Sequence, residues 1–263
     1  CMWSLLLYSL YIDQPVPIGF FVLFFIGSII MRGAGCTWND FLDKEYDKNV
    51  SRTKDRPLAS NKIKTINALV FLLVQLLIGL LILVQFNKLT IIIGSLALIP
   101  VFIYPLMKRV TWWPQIFLGI TFNWGALLGW LSLSNDFSSI YPILLYLACI
   151  FWTVGYDTIY AHQDKDDDIV LNLKSSAIKL GENTKNALLI FYAIFFIIFA
   201  VILFSLSNSI IIHLAILSLL IHLVFQIIYL DIDNSDRCLK IFKSNNLLGL
   251  QISFFLILEL VIN

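Results

Sequence analysis

The sequence predicts an all-α fold, a polytopic bundle of membrane-spanning helices, and three observations carry that expectation. Apolar residues make up 59% of the chain and charged residues 13%, a balance outside that of ordinary water-soluble domains. The charges lie between long charge-free runs, several of which approach or exceed the roughly 20 residues that cross a bilayer as a helix. The basic residues fall almost entirely on alternate connections, the asymmetry that orients a polytopic protein. A bilayer offers backbone amides no partner outside helices and closed barrels, so each run is read as a helix.

Taken in order, Cys1–Ile12 is apolar but too short to span, and no basic stretch precedes it as in a signal peptide. It is read as the second half of a first span whose beginning is missing, because the chain opens on Cys1 rather than an initiator Met. Ile18–Trp38 is a span interrupted only by Arg32, and Ile66–Phe86, Leu89–Met107, Val110–Asn135 and Phe137–Tyr156 are uncharged. Ala187–Leu230 is long enough for two spans, with Ser205–Ser209 as the break between them, and Ser244–Ile262 carries only Glu259. The expectation is therefore nine transmembrane helices, the first truncated, in a single domain over residues 1–263 with an incomplete N-terminus. With Cys1–Ile12 counted as a span, every one of the 18 Lys and Arg residues except Arg32 and Lys88 falls on one side. That side is cytoplasmic, or the matrix side of a mitochondrial inner membrane. A bacterial inner membrane is the first expectation and the mitochondrial one the alternative.

Two acid-rich stretches sit on that same side, at the ends of apolar runs. The first is Asn39-Asp40-Phe41-Leu42-Asp43-Lys44-Glu45-Tyr46-Asp47, in which Asn39, Asp43 and Asp47 recur every four residues and share a helix face. The second runs from Asp157 to Asp168; Asp164 and Asp168 repeat the spacing, and Asp157, two turns earlier, falls near the same face of a continuous helix. Like charges at that spacing repel, so packing alone gives little reason to gather them. Mg²⁺ supplies one, because it takes oxygen ligands from one or two carboxylates together with substrate phosphates. Two such faces opposed at a membrane edge would form a diphosphate clamp. The two motifs lie at the starts of the two longest polar loops, Leu42–Thr65 and Asp157–Asn186, whose similar contents hint at an internal repeat of helix groups.

Basic residues near the acids fit the same chemistry. Arg52 and Arg56 are four apart, a spacing suited to bidentate contact with phosphate oxygens. Lys108 and Arg109 end another span on the same side, where they either anchor topology beside Trp112 and Trp113 or face a leaving diphosphate. Arg32 lies inside a span, at a cost of at least about 2.5–3.5 kcal/mol unless it meets a partner or polar cavity. It precedes Asn39 by seven residues, on the same face, which places it in the cavity of the acids. Lys48, Lys62 and Lys64 are ordinary positive-inside residues. His162 sits two residues before Asp164, off the acidic face, and is read as packed rather than ligating. Cys1, Cys36, Cys149 and Cys238 are scattered without zinc spacing. Nothing points to nucleic acid, and no feature identifies a protein partner.

The order NDFLDKEYD, RTKDRPL, YPLMKR, YDTIYAHQDKDDD and LKSSAIKLG resembles the UbiA family of intramembrane aromatic prenyltransferases, across essentially the whole chain. More narrowly, MRGAGCTWND, MKRVTWWPQ and AHQDKDDDIVLNLKSSA resemble the branch that prenylates 4-hydroxybenzoate in ubiquinone biosynthesis. The resemblance implies nine helices around a central cavity with a polar cytoplasmic cap. It implies Mg²⁺ on Asn39, Asp43 and Asp47 and on Asp164 and Asp168, with the four aspartates Asp43, Asp47, Asp164 and Asp168 as the catalytic residues. Asp40 and Asp157 belong to the motifs as further candidate metal ligands. Arg56, Lys108 and Arg109 would bind the diphosphate, Arg32 would serve the acceptor or the cavity, and the Lys174 element takes no assigned role. The implied substrates are a polyprenyl diphosphate from the lipid bilayer and 4-hydroxybenzoate, attacked ortho to its hydroxyl. A naphthoate or haem acceptor is the alternative within the family.

Outside the family, a cation transporter would also place carboxylates in a helical bundle, usually near midplane and with broken helices. Here they cluster at one membrane edge among Arg and Lys. The Asp-Gly and Ala-Arg hallmark of CDP-alcohol phosphotransferases is absent.

Overall fold

The computed structural model describes residues 1–50 and 52–262; Ser51 and Asn263 lie outside the described residues. Among the described residues the secondary structure is helical throughout, without strands. In chain order the helices are α1 (Met2–Ile12), α2 (Ile18–Asp47), α3 (Thr65–Leu83), α4 (Lys88–Val110) and α5 (Pro114–Ser134). They continue with α6 (Tyr141–Ala161), α7 (Lys165–Val170), α8 (Ser176–Leu206), α9 (Ile210–Tyr229) and α10 (Ser235–Ile262). Eight of these are long and apolar enough to cross a membrane, and the apolar α1 precedes them, in the order the sequence predicts. The protein is a multi-pass membrane protein.

Local sequence explains the ends. Ser209 caps α9 by accepting from the Ile212 amide at 3.2 Å, so the serine cluster is the break between two spans, as expected. Within α4, Pro105 sits in a tighter 3₁₀ turn, Tyr104–Leu106, one residue before Lys108 and Arg109. A proline has no amide to donate and breaks the α ladder there.

Packing is uneven. α6 contacts α5, α8 and α10, and α1 lies against α5 and α10. Between them is the filled core, with Trp130, Tyr192, Phe195 and Phe199 fully buried. Gly155 makes room for it: a Cβ there would strike the Tyr192 ring. Two polar pairs cross between spans, Tyr192 donating to Gln226 at 2.6 Å and Trp152 to Asn245 at 2.8 Å. On the other side of α5, the helices α2, α3 and α4 enclose open space instead. Thr37 on α2 joins Gln75 on α3 at 3.1 Å, and Gly33 lets Gln75 approach the α2 backbone.

The second acidic motif is not one helix. The sequence predicts Asp157, Asp164 and Asp168 on one continuous face, whereas α6 ends at Ala161 and α7 begins anew after Asp164. Three successive acids, Asp166, Asp167 and Asp168, fall in the first turn of α7, where the helix dipole favours them. Within an unbroken helix they would have repelled one another without that compensation.

Candidate active site

α2 runs unbroken through the first acidic motif, so Asn39, Asp43 and Asp47 lie on one face at successive turns. α7 presents Asp164 and Asp168 from across the bundle, and the end of α4 presents Lys108. These six residues, with Arg52, Arg56, Tyr46 and Thr53, line one pocket of about 150 Å³. Residues separated by more than a hundred positions thus face each other at one edge of the membrane.

Asp43 is buried and pairs with Lys108 and, at 3.2 Å, with Arg109. Arg109 also donates to the Leu42 carbonyl at 2.9 Å and lies over the Tyr46 ring at 4.7 Å. It is absent from the pocket lining and braces Asp43 from behind, so only Lys108 of the predicted pair faces the pocket. Arg56 bridges Asp40 at 2.9 Å and Asp47 at 3.0 Å, which turns Asp40 away from the pocket while Asp47 lines it. The loop carrying Arg56 is tied to α2 by Thr53, whose hydroxyl donates to the Asp47 carbonyl at 3.2 Å.

Arg52 makes the cross-connection. Its guanidinium donates to both carboxylate oxygens of Asp164, at 2.8 and 2.5 Å, and lies 5.5 Å from the Tyr160 ring. Those hydrogen bonds raise the arginine above its ordinary pKa. Asp168 has no ion pair with a described residue. Burial first, and the charge of Asp164 second, push its carboxyl up to about 6. The i, i+4 spacing of Arg52 and Arg56 was the visible sign of a basic face. Its carboxylate partner, 112 positions away, leaves no local signal.

Two predicted residues sit elsewhere. Asp157, on α6, is outside the pocket lining because the helix ends before Asp164. Arg32 lines a second, larger cavity of about 420 Å³ and not the pocket of the acids. Its guanidinium lies 4.4 Å from the centre of the Phe122 ring, within Coulombic reach of Asp157 and Tyr104. Seven residues back along α2 is roughly 10 Å of rise, enough to move from one chamber to the other. The larger cavity is walled by apolar side chains, among them Phe24, Met31, Leu83, Phe86 and Leu98. The chambers are consecutive: Gly35 and Tyr104 line the apolar one, and one turn on, Asn39 and Lys108 line the polar one. His162 faces neither and bonds Thr184 at 3.0 Å, as its position off the acidic face implied.

The donor set of the polar pocket is oxygen alone, from Asn39 and four aspartates, which suits a hard divalent cation and excludes a thiolate or imidazole site. Among the described residues no group of three or more such ligands already stands as a metal cage. The reason is visible, since Asp43, Asp47 and Asp164 are each held by a basic side chain. A cation and an anionic ligand entering together would exchange partners with those pairs.

A membrane bundle with opposed acidic faces over an apolar chamber defines a class, and comparison with known proteins identifies it. The UbiA prenyltransferase family matches residues 1–254, and the chain belongs to that family. It is 48% identical over 228 residues to a protein of Drosophila pseudoobscura pseudoobscura named 4-hydroxybenzoate polyprenyltransferase, mitochondrial. That match covers 87% of this chain and 57% of the fly protein, so the chain spans little more than half the length of that relative. Among solved structures, the apo form of a UbiA homologue from Aeropyrum pernix K1 superposes with a TM-score of 0.84 at 22% identity, over 98% of this chain and 97% of that one. A UbiA homologue from Archaeoglobus fulgidus bound to GPP and Mg²⁺ superposes with a TM-score of 0.70 at 17% identity, over 99% of this chain and 96% of that one. Both likenesses establish the fold.

Proposed function

We propose that residues 1–263 act as one catalytic unit that transfers a polyprenyl group from polyprenyl diphosphate to 4-hydroxybenzoate. The bond forms at the ring carbon ortho to the hydroxyl, giving 3-polyprenyl-4-hydroxybenzoate and diphosphate in ubiquinone biosynthesis. One observation carries the reading. A polar pocket with oxygen donors and cations lies one helical turn from an apolar chamber of about 420 Å³. The fly relative's name adds the acceptor and favours a mitochondrial membrane over a bacterial one.

In this reading Asn39, Asp43, Asp47, Asp164 and Asp168 would hold Mg²⁺, which when bound would supply positive charge to balance that of the leaving diphosphate. Lys108 and Arg56 turn from their carboxylates to diphosphate oxygens, and Arg109 keeps Asp43 in place. Bond breaking leaves an allylic cation on the prenyl carbon, and the electron pair departs with the diphosphate. The phenol ring attacks that carbon and then loses its ring proton, which restores aromaticity. The apolar chamber keeps water from the cation. Arg32, beside Phe122 at the wall of that chamber, is the cation available to an aromatic carboxylate.

The test is prenyl transfer in membranes carrying the protein, supplied with 4-hydroxybenzoate and a polyprenyl diphosphate. Product is expected with Mg²⁺ or Mn²⁺ and none in excess chelator. Full turnover without metal would overturn the reading. In competition, prenylation of 1,4-dihydroxy-2-naphthoate or haem but not of 4-hydroxybenzoate would move the protein to another branch of its family.

A further inference from the structure

Among the described residues, the three most exposed large hydrophobic side chains are Ile18 and Val170, each at 80%, and Val261 at 77%. Ile18 and Val261 belong to membrane spans, where lipid covers them. Val170 belongs to the short helix α7 of the polar cap, and its neighbour Ile169 is 51% exposed. Two adjacent β-branched residues on a six-residue helix thus form an apolar edge without a partner among the described residues.

The position of α7 says what covers them. The chain just after it is fastened to the end of α4 at two points. The Lys174 amide donates to the Lys108 carbonyl at 2.7 Å, and the Lys174 ammonium donates to the Val110 carbonyl at 3.0 Å. Val110 is 65% exposed at the edge of the membrane-facing surface of α4, and the exposed Trp112 follows it. The Lys174 ammonium lies over the Trp112 ring at 5.8 Å, a cation–π contact with an indole of the kind that collects at membrane interfaces. Val170 stands four residues before that tether, within about 14 Å of it even if the chain were extended. The exposed edge of α7 therefore lies close to the exposed, apolar end of α4. Charge does not drive it, since Lys165 and Lys174 are matched by Asp166 and Asp167.

We propose that Ile169 and Val170 are immersed in the headgroup boundary of the same bilayer and anchor α7 there, at roughly the 5–10 Å depth of an interfacial helix. Asp164 and Asp168, which line the polar pocket from this helix, are thereby held level with a diphosphate carried by a membrane lipid. This second clause rests on the proposed function; the immersion does not.

A cysteine at position 170 carrying an environment-sensitive fluorophore tests the immersion without substrate. The background replaces Cys1 and Cys36, the cysteines that are not buried, by serine. In phosphatidylcholine vesicles the label is expected to emit as in an apolar medium and to be quenched by brominated acyl chains. A label at Lys62, in an exposed loop on the same side, gives the water reference. Emission and quenching equal to that reference would overturn the proposal, as would dry emission without quenching, the mark of a protein cover. For the positioning role, Val170→Asp should lower transfer from a long-chain donor in vesicles by roughly tenfold, the loss of one immersed aliphatic side chain. Transfer from geranyl diphosphate in detergent should be unchanged, and Val170→Leu should behave as wild type. An equal loss with both donors would overturn the positioning role while leaving the prenyl-transfer reading intact.

Discussion

Replacing Asp43 by alanine is expected to cost stability as well as activity. The carboxylate side chain is 1% exposed between Lys108 and Arg109, whose own side chains are 28% and 32% exposed. Removing it leaves two cations side by side at a buried point. Breaking a fully buried pair costs about 3–5 kcal/mol, and an exposed pair is worth about 0–1 kcal/mol. With one partner buried and the others partly in solvent, Asp43→Ala should lose about 2–3 kcal/mol. Asp164 gives the contrast: its side chain is 19% exposed against an Arg52 that is 41% exposed. Asp164→Ala should therefore cost less than about 1 kcal/mol. Transfer is expected to fall by about 10²–10³-fold in both, the scale on which a charge-stabilising group is lost. Thermal unfolding in detergent separates the two effects. Adding Lys108→Met to the Asp43 variant removes one of the stranded cations and should recover part of the melting temperature and none of the activity. Equal stability losses for Asp43→Ala and Asp164→Ala would refute the argument that burial, rather than the number of charges, sets the cost.

Other perturbations follow from the same geometry. His162→Ala should retain most transfer activity, because the ring faces neither chamber. Burial holds the His162 imidazole down at about 4 against an ordinary 6.5, with Lys165 adding to the effect. A depressed pKa means that the ring's contribution to stability is complete above about 6.5 and lost as the pH falls toward 4. The melting temperature of the wild type should thus drop more steeply over that range than that of His162→Gln, and parallel profiles would count against a buried neutral ring. Arg32→Ala should raise KM for 4-hydroxybenzoate more than it lowers kcat, measured at saturating donor. Impermeant cysteine labelling should report Lys62, Arg109, Lys174 and Lys240 on one side of the membrane and Asp136 and Ser207 on the other. Lys62 and Lys174 on opposite sides would separate the two acidic motifs and dissolve the site.

The spans were legible because hydrophobic runs are a local property, and the Ser205–Ser209 break because serine caps are local too. The first acidic face was legible for the same reason: α2 does not break between Asn39 and Asp47, so the repeat of four in the sequence is a repeat of turns in space. The second was only half legible. Asp164 and Asp168 keep that repeat, and Asp157 lies seven residues before Asp164, two turns back on the same face, but nothing in the spacing reveals that a helix ends between them at Ala161. Arg32 misled by the same logic, since sharing a face with Asn39 does not mean sharing a chamber. What could not be read at all were pairings set by the fold, Arg52 with Asp164 and Tyr192 with Gln226. Each partner is unremarkable in its own stretch of chain.

The tight turn at Tyr104–Leu106 has an angular consequence. A 3₁₀ residue advances about 120° around the axis and an α residue about 100°, so three of them add about 60° of rotation and about 1.5 Å of rise. Lys108 and Arg109 follow after Met107, and their azimuth is set by that excess as much as by their place in the sequence. With it, two adjacent side chains converge on the two oxygens of one carboxylate; without it, both would swing by a sixth of a revolution toward the neighbouring wall. The proline in the turn thus works as a phase shifter between a lipid-facing helix and the charged pocket. Lengthening or shortening the chain by one residue there would disturb the site more than exchanging either cation for the other.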